Sequence, residues 1–398
     1  MKNFNGIFCV FLILILSCNT KEKAPQKSEH SISVMAYYVP KQNYPIDQLP
    51  LDKLTHIIFS FSKVIDGEMK FNNDKNDSLL QELVKQRKKY PDLKIMIACG
   101  GWGADGFSDM SSTAQNRQKF VNSAIDFIKT YDLDGIDIDW EYPAIPAANT
   151  GARPEDKENF TLLMKELRQQ LNALEKAQTL TFASAGWEPY YDNIELDKVM
   201  EYVDFMNIMT YDQVGGSSKF TGHHSPLGLI EEEDIINTPL YDYLQEKKIE
   251  MEKNGRKFEL RSSENIIGYC IDKGVSPEKI VIGAAFYCRS WKGVPPENNG
   301  LYQPNKGAYT VYTYNQIRKE IETNKKYHRY WDSIAKAPYL FNASDSIFMS
   351  YDDTLSVKLK TKYAIQNNLG GVMFWQLTND TQDEKSLLQS IYNASKEN

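Results

Sequence analysis

The stretch DLDGIDIDWEYP runs from Asp132 to Pro143 and carries five acidic residues in twelve. In its centre Ile136, Ile138 and Trp140 alternate with Asp137, Asp139 and Glu141. On a β-strand, residues two apart share a face and lie about 6.5–7 Å from one another. Read as a strand over 135–142, the segment has one apolar face for helix packing and a line of three carboxylates on the other. Burying three unpaired carboxylates is costly, and no Lys or Arg lies within this strand to neutralise them. Shared protons are the remaining relief, and the most buried and crowded acid then keeps its proton to higher pH. A carboxylic acid poised in that way at a barrel mouth is a general acid.

Seven further strand candidates surround this one: 33–38, 56–62, 94–101, 180–186, 203–211, 279–287 and 370–377. Most are nearly continuous runs of Val, Ile and Phe, as expected for strands covered on both faces. Helical patterns separate them, including DSLLQELVKQRKKY, AQNRQKFVNSAIDFIKTY, DKENFTLLMKELRQQLNALEKA and TLSVKLKTKYAIQNN. This alternation predicts an α/β chain folded as a (β/α)8 TIM barrel over 32–287 and 349–393. Residues 288–348 interrupt the rhythm between the seventh and eighth strands. Their strand-like pieces AYTVYTY and YHRYWDS and the helix NQIRKEIE predict a small α+β insertion on the C-terminal rim. A second long connection, 213–264, contains the acidic run Glu231–Asp234, read as a solvated helix start.

A net charge of -7, with no basic stretch interleaved with aromatics, argues against nucleic acid as a partner. At the N-terminus, Lys2 precedes an apolar run from Ile7 to Leu16, too short to span a bilayer but suited to a signal peptide. The run ends at Ile15-Leu16-Ser17-Cys18, which resembles a bacterial lipoprotein processing box. Residues 1–18 are therefore read as a leader with Cys18 as the lipidated residue, and 19–31 as a polar, flexible tether. This predicts export to the cell envelope and a lipid anchor in a bacterial membrane. Cys99, Cys270 and Cys288 sit in apolar contexts without metal-ligand spacing and read as small buried hydrophobes, with a disulfide left open. His223 and His224 have no third ligand at matching spacing and read as surface or loop residues. No metal or cofactor is expected.

The pattern Asp134-x-x-Asp137-x-Asp139-x-Glu141-Tyr142-Pro143 resembles the signature of family 18 glycoside hydrolases, the chitinases. CGGW (99–102), DFMNIMTYD (204–212), IGAAFYCRSW (282–291) and the run 351–377 resemble the family's motifs on the third, sixth, seventh and eighth strands, and the resemblance covers about 32–393. It implies hydrolysis of β-1,4-linked N-acetylglucosamine polymers and oligomers with retention, the substrate's own 2-acetamido group serving as nucleophile. Glu141 would be the general acid, Asp139 would orient the acetamido group, Asp137 would share a proton with Asp139, and Tyr211 would hold the acetamido oxygen. Asp212 and Arg289 would bond sugar hydroxyls or the acetamido group, and Trp102, Tyr142 and Trp375 would stack on sugar faces. Gly100, Gly101, Met209 and Tyr287 complete the expected substrate-binding set. The expected partner is chitin or a chitooligosaccharide, bound by a monomer.

Two other functions fit the same resemblance: an endo-β-N-acetylglucosaminidase acting on N-glycan chitobiose cores, and a non-catalytic glycan-binding relative. The intact Glu141 argues against the second, the Trp-Glu-Tyr-Pro continuation and the expected insertion against the first. The chain departs from the family at Ala98, where Ser is frequent, at Cys288, where Gly is frequent, and at Gln376, where Glu is frequent. Without a Ser at 98, Asp137 needs another donor, and Tyr37 or Tyr38 on the first strand is the candidate.

Overall fold

The computed structural model describes residues 32–41, 44–253 and 260–397, together with Met1. Eight parallel strands form its centre: β1 (Ser33–Tyr38), β2 (His56–Ile65), β3 (Lys94–Gly100), β4 (Gly135–Asp139), β5 (Thr179–Ala185), β6 (Phe205–Met209), β7 (Ile280–Ala285) and, last, Gly371–Trp375. They neighbour one another in chain order, and the ring closes because β1 pairs with both β2 (Ala36↔Ile57) and the last strand (Val34↔Val372). The expected barrel is therefore present.

Sequence explains how β4 is delivered. The helix Ala114–Tyr131 begins at Thr113, whose side chain accepts from the Asn116 N–H, and ends where Asp132 turns left-handed at φ 51°. Asp134 then accepts from the Ile95 N–H at 2.8 Å and pairs with Arg87 (2.7 Å) and Lys176 (2.8 Å), which pins the start of β4 to β3. Ile136, Ile138 and Trp140 point outward into the layer between strands and helices, where Trp140 stacks on Phe107. The inside of the ring is filled by a smaller set that includes Met35, Tyr37, Ile58, Met96, Ala98 and Met373.

Between β7 and the last barrel strand, the chain forms a separate antiparallel sheet of four strands: β8 (Arg289–Lys292), β9 (His328–Asp332), β10 (Ala337–Asn342) and β11 (Ile347–Ser350), in spatial order β9-β10-β11-β8. The last barrel strand is accordingly β12 (Gly371–Trp375). Trp291, Tyr339, Phe341 and Phe348 form the core of this sheet, together with Ile230, Ile235 and Leu244 from the long connection after β6. The segment AYTVYTY is not a strand. It runs beside β8 through isolated bridges, Trp291↔Ala308 and Tyr287↔Thr313, with Tyr309 and Val311 exposed, so no continuous ladder forms.

Two other expectations need correction. Strand β4 ends at Asp139, so Glu141 projects from the turn beyond it, not from the strand. His223 and His224 are buried, because the loop carrying them runs beneath the second sheet: the His224 N–H donates to Ser350 Oγ at 2.9 Å, and His223 Nε2 lies 3.0 Å from Asp332 Oδ2. Cys99, Cys270 and Cys288 are buried and free, with no disulfide among them. Among the described residues no helix is long and apolar enough to cross a membrane, and no group of three or more acidic, His or Cys residues could hold a metal ion.

Candidate active site

The three carboxylates rise through the barrel toward its C-terminal mouth, and each has a different environment. Asp137 is 0 % exposed and lies between Ala98 on β3 and Thr181 on β5. It accepts from Thr181 Oγ1 at 2.5 Å, Tyr37 Oη at 3.0 Å and Asn207 Nδ2 at 3.2 Å. Burial pushes its carboxyl up to about 6, and these three donors keep it from rising further. Tyr37 is thus the donor that stands in where Ala98 offers none. Tyr38 faces the outer layer against Phe59.

Asp139, 4 % exposed, has no such support: its Oδ1 is buried without a partner. Burial, then the neighbouring Glu141 and Asp137, hold its carboxyl well above the usual range, with the Lys63 ammonium opposing. Glu141 is 9 % exposed, and burial pushes it up to about 7 against a lowering hydrogen bond with Tyr142. A carboxylic acid of that strength retains much of its proton near neutrality and can deliver it, which is what general acid catalysis requires.

Around this ladder, Tyr211 is buried, and among the described residues its hydroxyl donates to the Met373 sulfur at 3.9 Å. Burial, then Asp139, keeps that hydroxyl protonated and a donor. Met209 closes β6 and packs with Tyr211 and Trp375 on the inner cluster. Asp212 and Arg289, expected to bond sugar hydroxyls or the acetamido group, hold each other in this structure. Arg289 Nε and Nη2 donate to the two Asp212 oxygens at 2.6 Å each, Tyr287 Oη donates at 2.9 Å, and His224 Nδ1 lies 3.4 Å away. Burial raises the Asp212 carboxyl, but His224 and Arg289 outweigh it and hold it ionised far below the usual range.

Trp375 stacks on Phe61 with centroids 5.5 Å apart and planes at 20°, which makes a flat floor beside the ladder. Trp102 stands 65 % exposed at the rim, edge-on to Tyr142 at 6.4 Å. Gly100 and Gly101, expected near substrate, serve the approach of two strands. Both have positive φ, a Cβ on Gly100 would lie 1.9 Å from the Asp139 carbonyl oxygen, and one on Gly101 would lie 2.7 Å from the Phe61 ring. The Gly101 N–H donates to the Asp139 oxygen at 2.9 Å.

Sequence reasoning missed Thr181, Asn207, Phe61, His224 and Lys63. Strict alternation along β2 places Phe61 on the outer face with Ile57 and Phe59, and the bulge between Ser60 and Ser62 turns it to the inner cluster. The other four need knowledge of which strands and loops become neighbours.

A parallel barrel with a protonated acid above two buried carboxylates and an aromatic floor belongs to the class of acid–base enzymes built on the C-terminal face of this fold. Residues 33–380 match glycosyl hydrolases family 18, and the chain belongs to that family. It is 37% identical over 314 residues to Chitinase A1 of Niallia circulans, covering 76% of this chain and 42% of that protein. It is 33% identical over 341 residues to Chitotriosidase-1 of Mus musculus, covering 82% and 67%. Among solved structures, a family 18 N-acetylglucosaminidase from Paenibacillus barengoltzii superposes with a TM-score of 0.79 at 34% identity, covering 91% of this chain and 99% of that one. The chain thus spans less than half the length of Chitinase A1.

Proposed function

We propose that the chain is a chitinase, hydrolysing β-1,4-linked N-acetylglucosamine polymers and oligomers with retention and with Glu141 as general acid. The observation that carries this reading is the contrast within the ladder: Asp137 is fully supplied with donors, whereas Asp139 directly above it has a buried, unpartnered Oδ1. An acetamido N–H would satisfy that oxygen. Glu141 would protonate the glycosidic oxygen as the acetamido carbonyl oxygen forms its bond to C1 and the C1–O bond breaks. Asp139 would balance the positive charge growing on the acetamido nitrogen, and Tyr211 would hold its oxygen near C1. Water would then add to C1, the Glu141 carboxylate taking its proton, and the acetamido group would reform.

Chitinase A1 of Niallia circulans and Chitinase B of Serratia marcescens are chitinases by name, and a structurally similar Group IV chitinase from Ostrinia furnacalis is described in complex with allosamidin. Hydrolysis of a chromogenic chitobioside, a chitin suspension and a glycoprotein tests the reading. Chitobioside and chitin cleavage is expected, with a loss of about 100-fold or more in Glu141→Gln. Cleavage of the glycoprotein alone would favour the N-glycan endoglycosidase, and no cleavage of any substrate would favour a glycan-binding protein.

The α+β segment 288–348 is further proposed as the wall that deepens the substrate groove of a monomer. Cys18 lies outside the described residues. It is proposed as the lipid-bearing residue of an exported, membrane-anchored protein, and Cys18→Ala should move the protein to the soluble fraction. Retention on the membrane would rule that anchor out.

A further inference from the structure

Lys63 sits on β2 beside the barrel mouth, half-buried, and its ammonium donates to the Gly100 carbonyl oxygen at 2.5 Å. The same ammonium lies 5.1 Å from the centre of the Phe61 ring, the ring on which Trp375 stacks. Gly100 is the residue of β3 paired with Asp139 of β4, and the next N–H, of Gly101, donates to the Asp139 carbonyl. The ammonium is thus fixed at two points, and both lie against the ladder. Its outer side lines an open cavity of about 490 Å³ with Asn72 and the turn Gly103–Gly106, so the charge keeps part of its hydration.

We infer that Lys63 is a positioning residue for the hydrolytic site: it ties β2 to the end of β3 at the residue paired with Asp139 and sets a fixed positive charge beside Asp139 and Glu141. The inference rests on the roles proposed above for these two acids. Among the described residues no other cationic side chain acts directly on both. Asp137 stands below them on β4 and disfavours a second negative charge on Asp139, while Tyr37 beside it on β1 is a neutral hydroxyl that donates to Asp137. Tyr142 in the following turn, Tyr190 after β5 and Tyr211 after β6 face the pair as neutral hydroxyls. Cys99 on β3 is a neutral thiol pushed up to about 12 by burial. Asp212 is negative and raises Glu141, while the charge of Arg289 is taken up by Asp212 itself. Lys63 is the group that opposes this accumulation, lowering both Asp139 and Glu141. It allows one carboxylate of the pair to ionise near neutrality while the other keeps its proton.

Three variants test this. Lys63→Met removes the charge and the tie, Lys63→Gln keeps a donor for the Gly100 carbonyl without the charge, and Lys63→Arg keeps the charge. The readouts are the pH profile of kcat/KM on a chromogenic chitobioside and the titration of the pair followed by carboxyl 13C NMR. The second readout needs no turnover, so a wild-type protein inactive on the chitobioside would refute the proposed function without deciding the role of Lys63. Losing a nearby cation raises carboxyl pKa values, so both limbs and both titration midpoints should move to higher pH, by about half a unit or more, in the Met and Gln variants. The Arg variant should stay near wild type. Unmoved midpoints in the Gln variant, or an equal shift in the Arg variant, would overturn the inference.

Discussion

Replacing Tyr37 by Phe deletes one hydroxyl and leaves the ring against Trp375. That hydroxyl is the donor to Asp137 Oδ2, at 3.0 Å, and it accepts from Asn207 Nδ2 at 3.2 Å. The Asn207 amide keeps its bond to Asp137 Oδ1, so only Oδ2 is stripped. A hydrogen bond to a charged group contributes about 1.5–3 kcal/mol, against about 0.5–1.5 for a neutral pair. The pH dependence follows from the carboxyl's own shift. Asp137 rises from 3.8 to about 6 on folding, so the folded state holds its proton more tightly. Stability is complete below the unfolded value and falls by roughly 3 kcal/mol as pH rises through the folded one. In Tyr37→Phe the folded pKa climbs by the difference between these two losses, about 0.5–1.5 further units, and the loss continues to correspondingly higher pH. Urea unfolding should therefore show a decrement of about 1 kcal/mol at pH 5 that grows to about 1.5–3 kcal/mol at pH 8. An equal decrement at both pH values, or none at pH 8, would show that this hydroxyl does not support an ionised Asp137.

Ala98→Ser adds a fourth donor beside a carboxylate that already has three, so turnover should stay within about tenfold of wild type. Asp139→Ala should cost far more, because it removes the oxygen meant for the acetamido N–H; a mild effect would misassign that oxygen. Trp375→Ala removes the floor formed with Phe61 and should lower kcat/KM on oligosaccharides by about 10–100-fold, and an unchanged value would place the sugar elsewhere. Fully deacetylated chitosan should not be hydrolysed; cleavage at the rate of chitin would exclude the acetamido nucleophile.

The barrel and its ladder were legible because their signals are local. Continuous apolar runs mark strands covered on both sides, and the period-two spacing of Asp137, Asp139 and Glu141 marks one face. The same spacing misled at the end of β4: it continues through Glu141, although the strand stops at Asp139 and the turn carries the acid. Of the ladder's support, Tyr37 was legible and the rest was not. Thr181 and Asn207 are ordinary strand residues until the registers Asp137↔Thr181 and Ala183↔Asn207 bring them together. The two histidines misread for a related reason. Their polar, glycine-flanked segment has the composition of an exposed loop, and only the second sheet, built more than 60 residues later in the chain, buries it. Lys63 shows the same limit, since its meaning depends on a carbonyl from β3 and carboxylates from β4.

In the proposed reaction Glu141 protonates the leaving oxygen while the substrate's acetamido group attacks C1 from the opposite face. The most direct measurement is the anomeric configuration of the first product released from a fully acetylated chitin hexasaccharide, followed by proton NMR before mutarotation. Two successive displacements at C1 give the β-anomer first, and that is the expected result. Initial release of the α-anomer would mean a single displacement by water and would contradict the proposed mechanism.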